Sequence, residues 1–219
     1  MAFRGIPAEA LTFYEELEAD NSRPFWQANK ARHEEYVKGP VIELTEELAE
    51  FGPFHVFRPY HDVRFAKNRP PYKTHQGAYA ESEGGAGYYL QVSATGLRVG
   101  GGYYAMAKDQ LDRFRRAVDA DATGAELVSL VDAATRDGYD VGAIGELKTA
   151  PRGYPKDHPR IELLRRKGLV GSKDFGSPRW LHTKSAAARI RETWAGLSDL
   201  FEWLDAHVGP STLPPDRPF

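Results

Sequence analysis

Between Arg58 and Thr74 the chain reads RPYHDVRFAKNRPPYKT, where Arg58, Arg64, Lys67, Arg69 and Lys73 crowd around a single acid, Asp62, and two tyrosines, Tyr60 and Tyr72. Arginine offers a planar fork to phosphate or carboxylate, lysine a point charge and tyrosine a hydroxyl donor. The chemistry open to such a set is recognition of an anion. Asp62 is expected to orient Arg58 or Arg64, since salt-bridge networks imitate catalytic clusters; a role as general base is the sharper alternative. PRGYPKDHPR, from Pro151 to Arg160, repeats the pattern of prolines, an aromatic and cations with Arg152, Lys156, His158 and Arg160. Exposed loops carry such residues for solubility alone, so this second stretch is the weaker candidate.

Other chemistries find no residues. Cysteine is absent, which removes disulfides, thiolate nucleophiles and cysteine metal sites and suits a reducing cytoplasm. No serine stands in a G-x-S-x-G elbow, and no nucleophile sits beside an identifiable base. His55, His61 and Asp62 are neighbours in sequence, but no H-x-x-x-H or similar pattern completes a ligand set, so no metal is assigned. VGGGYYA does not open a helix at the spacing of a dinucleotide fingerprint. Neither a catalytic residue nor a cofactor follows, and whether the protein is an enzyme stays open.

The elements that must hold this stretch are legible in part. A chain of 219 residues with a net charge of −2 fits one soluble domain and argues against wholesale coating of nucleic acid. The N-terminus shows neither a secretory signal nor a membrane span. Pro7 to Ala19 reads as a helix with Leu11, Tyr14 and Leu17 on its buried face. A second helix opens at Pro24, and Gly39-Pro40 is expected to interrupt it before Val41 to Phe51. Trp26, Asn29, Lys30 and His33 could face a ligand, although an aromatic at helical spacing is more often core. Phe54 to Tyr60 alternates as a strand and leads into the cationic stretch, where Pro70-Pro71 enforces extended backbone.

Gly87 to Ala94 and Leu97 to Ala105 read as a hairpin about a Thr95-Gly96 turn, with Val92 opposite Val99 and Ser93 opposite Arg98. Tyr88, Leu90, Val92 and Val99 then share one face, and Tyr89, Gln91, Ser93, Arg98, Gly100, Gly102 and Tyr104 the other. A run of three glycines means a bulge or something lying close to the backbone. The expected occupant is a ligand against Arg98, Tyr89 and Tyr104, and Gly102→Val is expected to harm binding more than folding. Lys108 to Val118 and Gly124 to Arg136 read as helices, Glu146 to Thr149 as a short strand, and Lys184 to Val208 as one long amphipathic brace.

NSRPFWQANKARHEEYVKGP, DVRFAKNRPPYKT, GYYLQVSATGLRVGGGYY and PRGYPKDHPRIELLRRKGL, in that order, resemble the bacterial and fungal domain-of-unknown-function family numbered twenty-four sixty-one, from about Phe13 to Phe201. The resemblance implies a single-domain fold and brings no activity with it. The expected architecture is α+β, with an antiparallel sheet covered by helices on one face, one domain over residues 1–208 and a proline-rich tail over 209–219. The expected function is binding of a small phosphate- or carboxylate-bearing ligand by Arg58, Asp62, Arg64, Lys67, Lys73, Tyr89, Arg98, Gly100, Gly102 and Tyr104. The alternatives are nucleic-acid binding, with Tyr60, Tyr72 and Tyr154 as stacking surfaces, and docking on an acidic protein partner.

Overall fold

Proline at position 7 holds an extended backbone (φ −66°, ψ 151°) and so caps the first helix, α1 (Ala8–Ala19). The positions that bury on it, Ala10, Leu11, Phe13, Tyr14 and Leu17, recur every three or four residues. The computed structural model describes residues 2–61, 70–82 and 84–214. Ser22 starts α2 (Arg23–Arg32) by accepting a hydrogen bond from the Phe25 amide. Contrary to expectation, Gly39-Pro40 does not break the run that follows. Pro40 has no N–H for the Tyr36 carbonyl and its ring crowds that carbonyl, and the chain responds by winding wider. Residues His33–Lys38 form a π-helical turn in which the Gly39 amide reaches back to the Glu34 carbonyl, and α3 (Gly39–Glu47) continues from it.

The strands are β1 (His55–Val56), β2 (His75–Glu81), β3 (Gly87–Ser93), β4 (Gly96–Tyr103), β5 (Asp140–Gly142) and β6 (Leu169–Gly176). They form a six-stranded antiparallel sheet in the order β1-β2-β3-β4-β6-β5. The helices α4 (Lys108–Asp119), α5 (Asp121–Arg136), α6 (Ile161–Arg165), α7 (Ser185–Ala195) and α8 (Ser198–His207) complete an α+β fold. The hairpin turn and the C-terminal brace differ from the sequence reading. The hairpin turn is Ala94-Thr95, so Gly96 lies inside β4 rather than in the turn. The long C-terminal brace is two helices, because α7 ends before Gly196, where a side chain would strike the Tyr139 hydroxyl at 2.2 Å.

By backbone proximity the chain groups into one unit of Met1–Ala80, Tyr89–Val99 and Asp174–Thr193, and another of Glu81–Tyr88, Gly100–Lys173 and Trp194–Phe219. In the first, Phe13 touches Tyr14, Trp26 and His33, and of the expected inner hairpin face Leu90, Val92 and Val99 are buried, joined by Leu97. In the second, Phe114, Val118 and Leu127 from α4 and α5 join Leu164, Leu169, Leu197 and Leu204 in one apolar core. The same unit fastens the start of the tail. Arg113 donates to the Val208 and Pro210 carbonyls, while Asp109 accepts from Ser211 and Thr212.

Candidate functional site

The two described ends of the cationic stretch are held together. Tyr60 and Tyr72 form an antiparallel bridge, the His61 amide donates to the Pro71 carbonyl (3.0 Å) and the Lys73 amide to the Pro59 carbonyl (2.8 Å). Asn21, from the turn between α1 and α2, grips the same place. Its Nδ2 donates to the Tyr72 carbonyl at 3.0 Å, and its Oδ1 accepts from the Tyr72 amide at 3.1 Å, as an adjoining strand would. Trp26 then stacks flat on the Tyr72 ring, 4.4 Å between centroids and 11° between planes, with Tyr60 at 5.8 Å. Positive groups gather beside this root. Burial lowers the His75 pKa, and the neighbouring charges of Lys73 and His61 lower it further.

Of the residues expected to bind, Asp62, Arg64 and Lys67 lie outside the described residues, and Arg58 is exposed. Lys73, Tyr89 and Arg98 are strung along one polar face of β1 to β4. Lys73 Nζ lies 5.1 Å above the Phe57 ring, Phe57 lies 6.3 Å from Tyr89, and the Tyr89 hydroxyl donates to Gln91 Oε1 at 2.7 Å. Gln91, Ser93, Thr95, Gly96, Leu97, Arg98, Asp174 and Gly176 line an open depression of about 440 Å³. Arg98 Nη1 faces the largely exposed Asp174 carboxylate there at 3.7 Å, too long for a hydrogen bond.

The glycines are not a floor for a ligand. Gly100 and Gly102 are buried, and what lies close to them is the backbone of β6. A Cβ on Gly100 would meet the Gly171 carbonyl at 2.7 Å, and one on Gly102 the Leu169 carbonyl at 2.3 Å. Gly102 also adopts φ +129°, which side-chain-bearing residues rarely hold. The Gly100 carbonyl is occupied as well, accepting from Trp194 Nε1 at 2.9 Å. Tyr104 stands beyond the end of β4 and is 60 % exposed, so it is not on the strand face assigned to it. The glycine correction has one cause: LVGSKDFG, which becomes β6, carries too little strand signal to be read as the neighbour of β4.

Two of the three tyrosines expected to stack on nucleic acid are occupied. Tyr72 is 6 % exposed beneath Trp26, and Tyr154 packs against the core of its unit. In the second basic stretch the Arg160 guanidinium donates to the Val118 and Asp119 carbonyls, closing the end of α4. The Trp26 to His33 patch is core, as the commoner case predicts: Trp26 and His33 are buried, Asn29 donates to the Phe25 carbonyl, and only Lys30 is exposed. Sequence reasoning missed Asn21 and Gln76, although an Asn just before a helix start was a visible signal.

Among the described residues no group of His, Asp or Glu is arranged to hold a metal ion, and no helix is long and apolar enough to cross a membrane. No curated protein and no solved structure matches the chain. The model of a family described as conserved hypothetical protein (DUF2461) matches residues 9–203, which takes in the Asn21 grip, the cationic stretch, the hairpin and β6, and the chain therefore belongs to that family.

Proposed function

We propose that the protein binds a small molecule bearing a phosphate or carboxylate on the polar face of β1 to β4, with Arg98 as the anion's principal partner and Lys73 and Tyr89 further along the same face. The observation that carries this reading is the depression of about 440 Å³, in which the Arg98 guanidinium stands among hydroxyl and amide groups with the exposed Asp174 carboxylate 3.7 Å away. Its size suits a metabolite rather than a macromolecule. The site no longer includes Gly100, Gly102 or Tyr104. Arg58, Asp62, Arg64 and Lys67 stay in the proposal on sequence alone, as cations and their orienting acid on the stretch that Lys73 ends. We keep a cytoplasmic location in it for the absence of cysteine. Nucleic acid ranks behind it, because Tyr72 and Tyr154, two of the three tyrosines that would stack, are occupied, and an acidic protein surface ranks third.

Inorganic phosphate and citrate test the proposal by thermal shift. A ligand that binds only the folded chain, present at ten times its Kd, adds about 1.4 kcal/mol of stability. The parent protein is expected to gain melting temperature with one of these anions, and Arg98→Ala to lose most of that gain while melting near the parent temperature in buffer alone. An equal gain in parent and variant, or none in the parent, rejects the site.

A further inference from the structure

Trp26 Nε1, both ring nitrogens of His33 and Gln76 Oε1 are buried atoms without a hydrogen-bond partner. Their residues are 3 %, 0 % and 1 % exposed. They belong together: the Trp26 and His33 ring centroids are 4.9 Å apart, and the Gln76 amide is close enough to favour the charged imidazole without closing a hydrogen bond to it. Folded chains rarely leave even one such group unmet, and here the orphans share one place.

Their chemistry defines the occupant. An indole N–H can only donate. Gln76 is fixed in orientation, since its Nε2 already donates to the Phe57 carbonyl at 2.7 Å and the Gly77 carbonyl at 3.1 Å, so the atom left over is an acceptor. His33, whose pKa burial lowers to about 4, is neutral near pH 7 and presents one donor and one acceptor nitrogen. A cation would be repelled by the indole N–H, and an anion by the amide oxygen and the imidazole lone pair. Almost none of these residues' surface reaches solvent, so an occupant that meets these atoms is held inside the fold, and a neutral molecule with both donor and acceptor capacity suits them.

We infer that Trp26, His33 and Gln76 form a built site for one internal water molecule, which accepts from Trp26 Nε1–H, donates to Gln76 Oε1 and bonds one ring nitrogen of His33. The water joins α2 and the π-helical turn to β2 directly behind the Tyr72 ring on which Trp26 stacks. It thereby braces the root of the cationic stretch, and the site stands whether or not an anion binds in front of it.

In the 15N-labelled chain, the Trp26 indole N–H, assigned by its disappearance in Trp26→Phe, is expected to show a cross-peak to water with the sign of a long-lived complex. His33→Phe is expected to abolish that cross-peak in a folded protein. A Trp26 indole without the cross-peak, or one that keeps it in His33→Phe, overturns the site. Should a variant fail to fold, a crystal structure of the parent decides. An ordered oxygen about 3 Å from both Trp26 Nε1 and Gln76 Oε1 supports the water; a direct bond between these side chains, or an empty gap, refutes it.

Discussion

Gly102 sits at φ +129° with the Leu169 carbonyl 2.3 Å from where its Cβ would be, so the cost of a side chain there falls on the fold. Valine at this position is strained in backbone and blocked by β6 at once. Gly102→Val is expected to lose about 2 kcal/mol or more of stability, read as a lower melting temperature; a variant that melts with the parent would return the glycine to the binding question. His33 is a residue-scale matter of another kind. Burial holds its pKa at about 4, well below the ordinary 6.5, while Glu34 and the Gln76 amide raise it slightly and Lys38 lowers it. A pKa depressed on folding means that the unfolded chain takes up the proton first. Stability from this group is therefore complete above pH 6.5 and is lost as pH falls toward 4, to the extent of about 3 kcal/mol. Urea unfolding at pH 7 and pH 4.5 measures the loss, and His33→Phe is expected to flatten the dependence over that window.

At the scale of elements, the root of the cationic stretch depends on a side chain imitating a strand. Asn21 pairs with both backbone groups of Tyr72, and Trp26 then lies flat on the ring. Asn21→Ala leaves a backbone donor and acceptor without these partners and is expected to cost about 1–2 kcal/mol, with faster hydrogen exchange at the Tyr72 amide. Exchange no faster than in the parent would mean that burial rather than the Asn21 bond protects that amide. Legibility also varied by element. The hairpin faces were readable because Leu90, Val92, Leu97 and Val99 alternate with polar residues, and α1 because its apolar positions follow the helical period. β2, HQGAYAE, and β6, LVGSKDFG, were not, since glycine, alanine and charge stand where branched residues normally signal a strand. Their identity comes from the strands beside them, which is long-range information.

Seen whole, the α+β class was readable from composition and period, whereas the candidate site was readable only as a list of types. Lys73, Tyr89 and Arg98 do share a face, but Gly100, Gly102 and Tyr104 were joined to them by a strand pattern that could not show β6. The π-helical turn has a further meaning for how the chain tolerates change. His33, Val37 and Val41 are buried at two successive intervals of four, and on an ordinary helix of 3.6 residues per turn each interval would carry the side chain about 40° around the axis. The wider winding absorbs that drift and keeps all of them pointing inward. One residue between Glu34 and Lys38 is thus surplus to ordinary helical spacing: with it deleted, seven steps of about 100° from His33 to Val41 fall within about 20° of two whole turns. The imidazole and indole that now meet beside Tyr72 are therefore expected to keep facing inward after the loss of that one amino acid, which makes the turn a place where the chain tolerates a deletion better than an ordinary helix would.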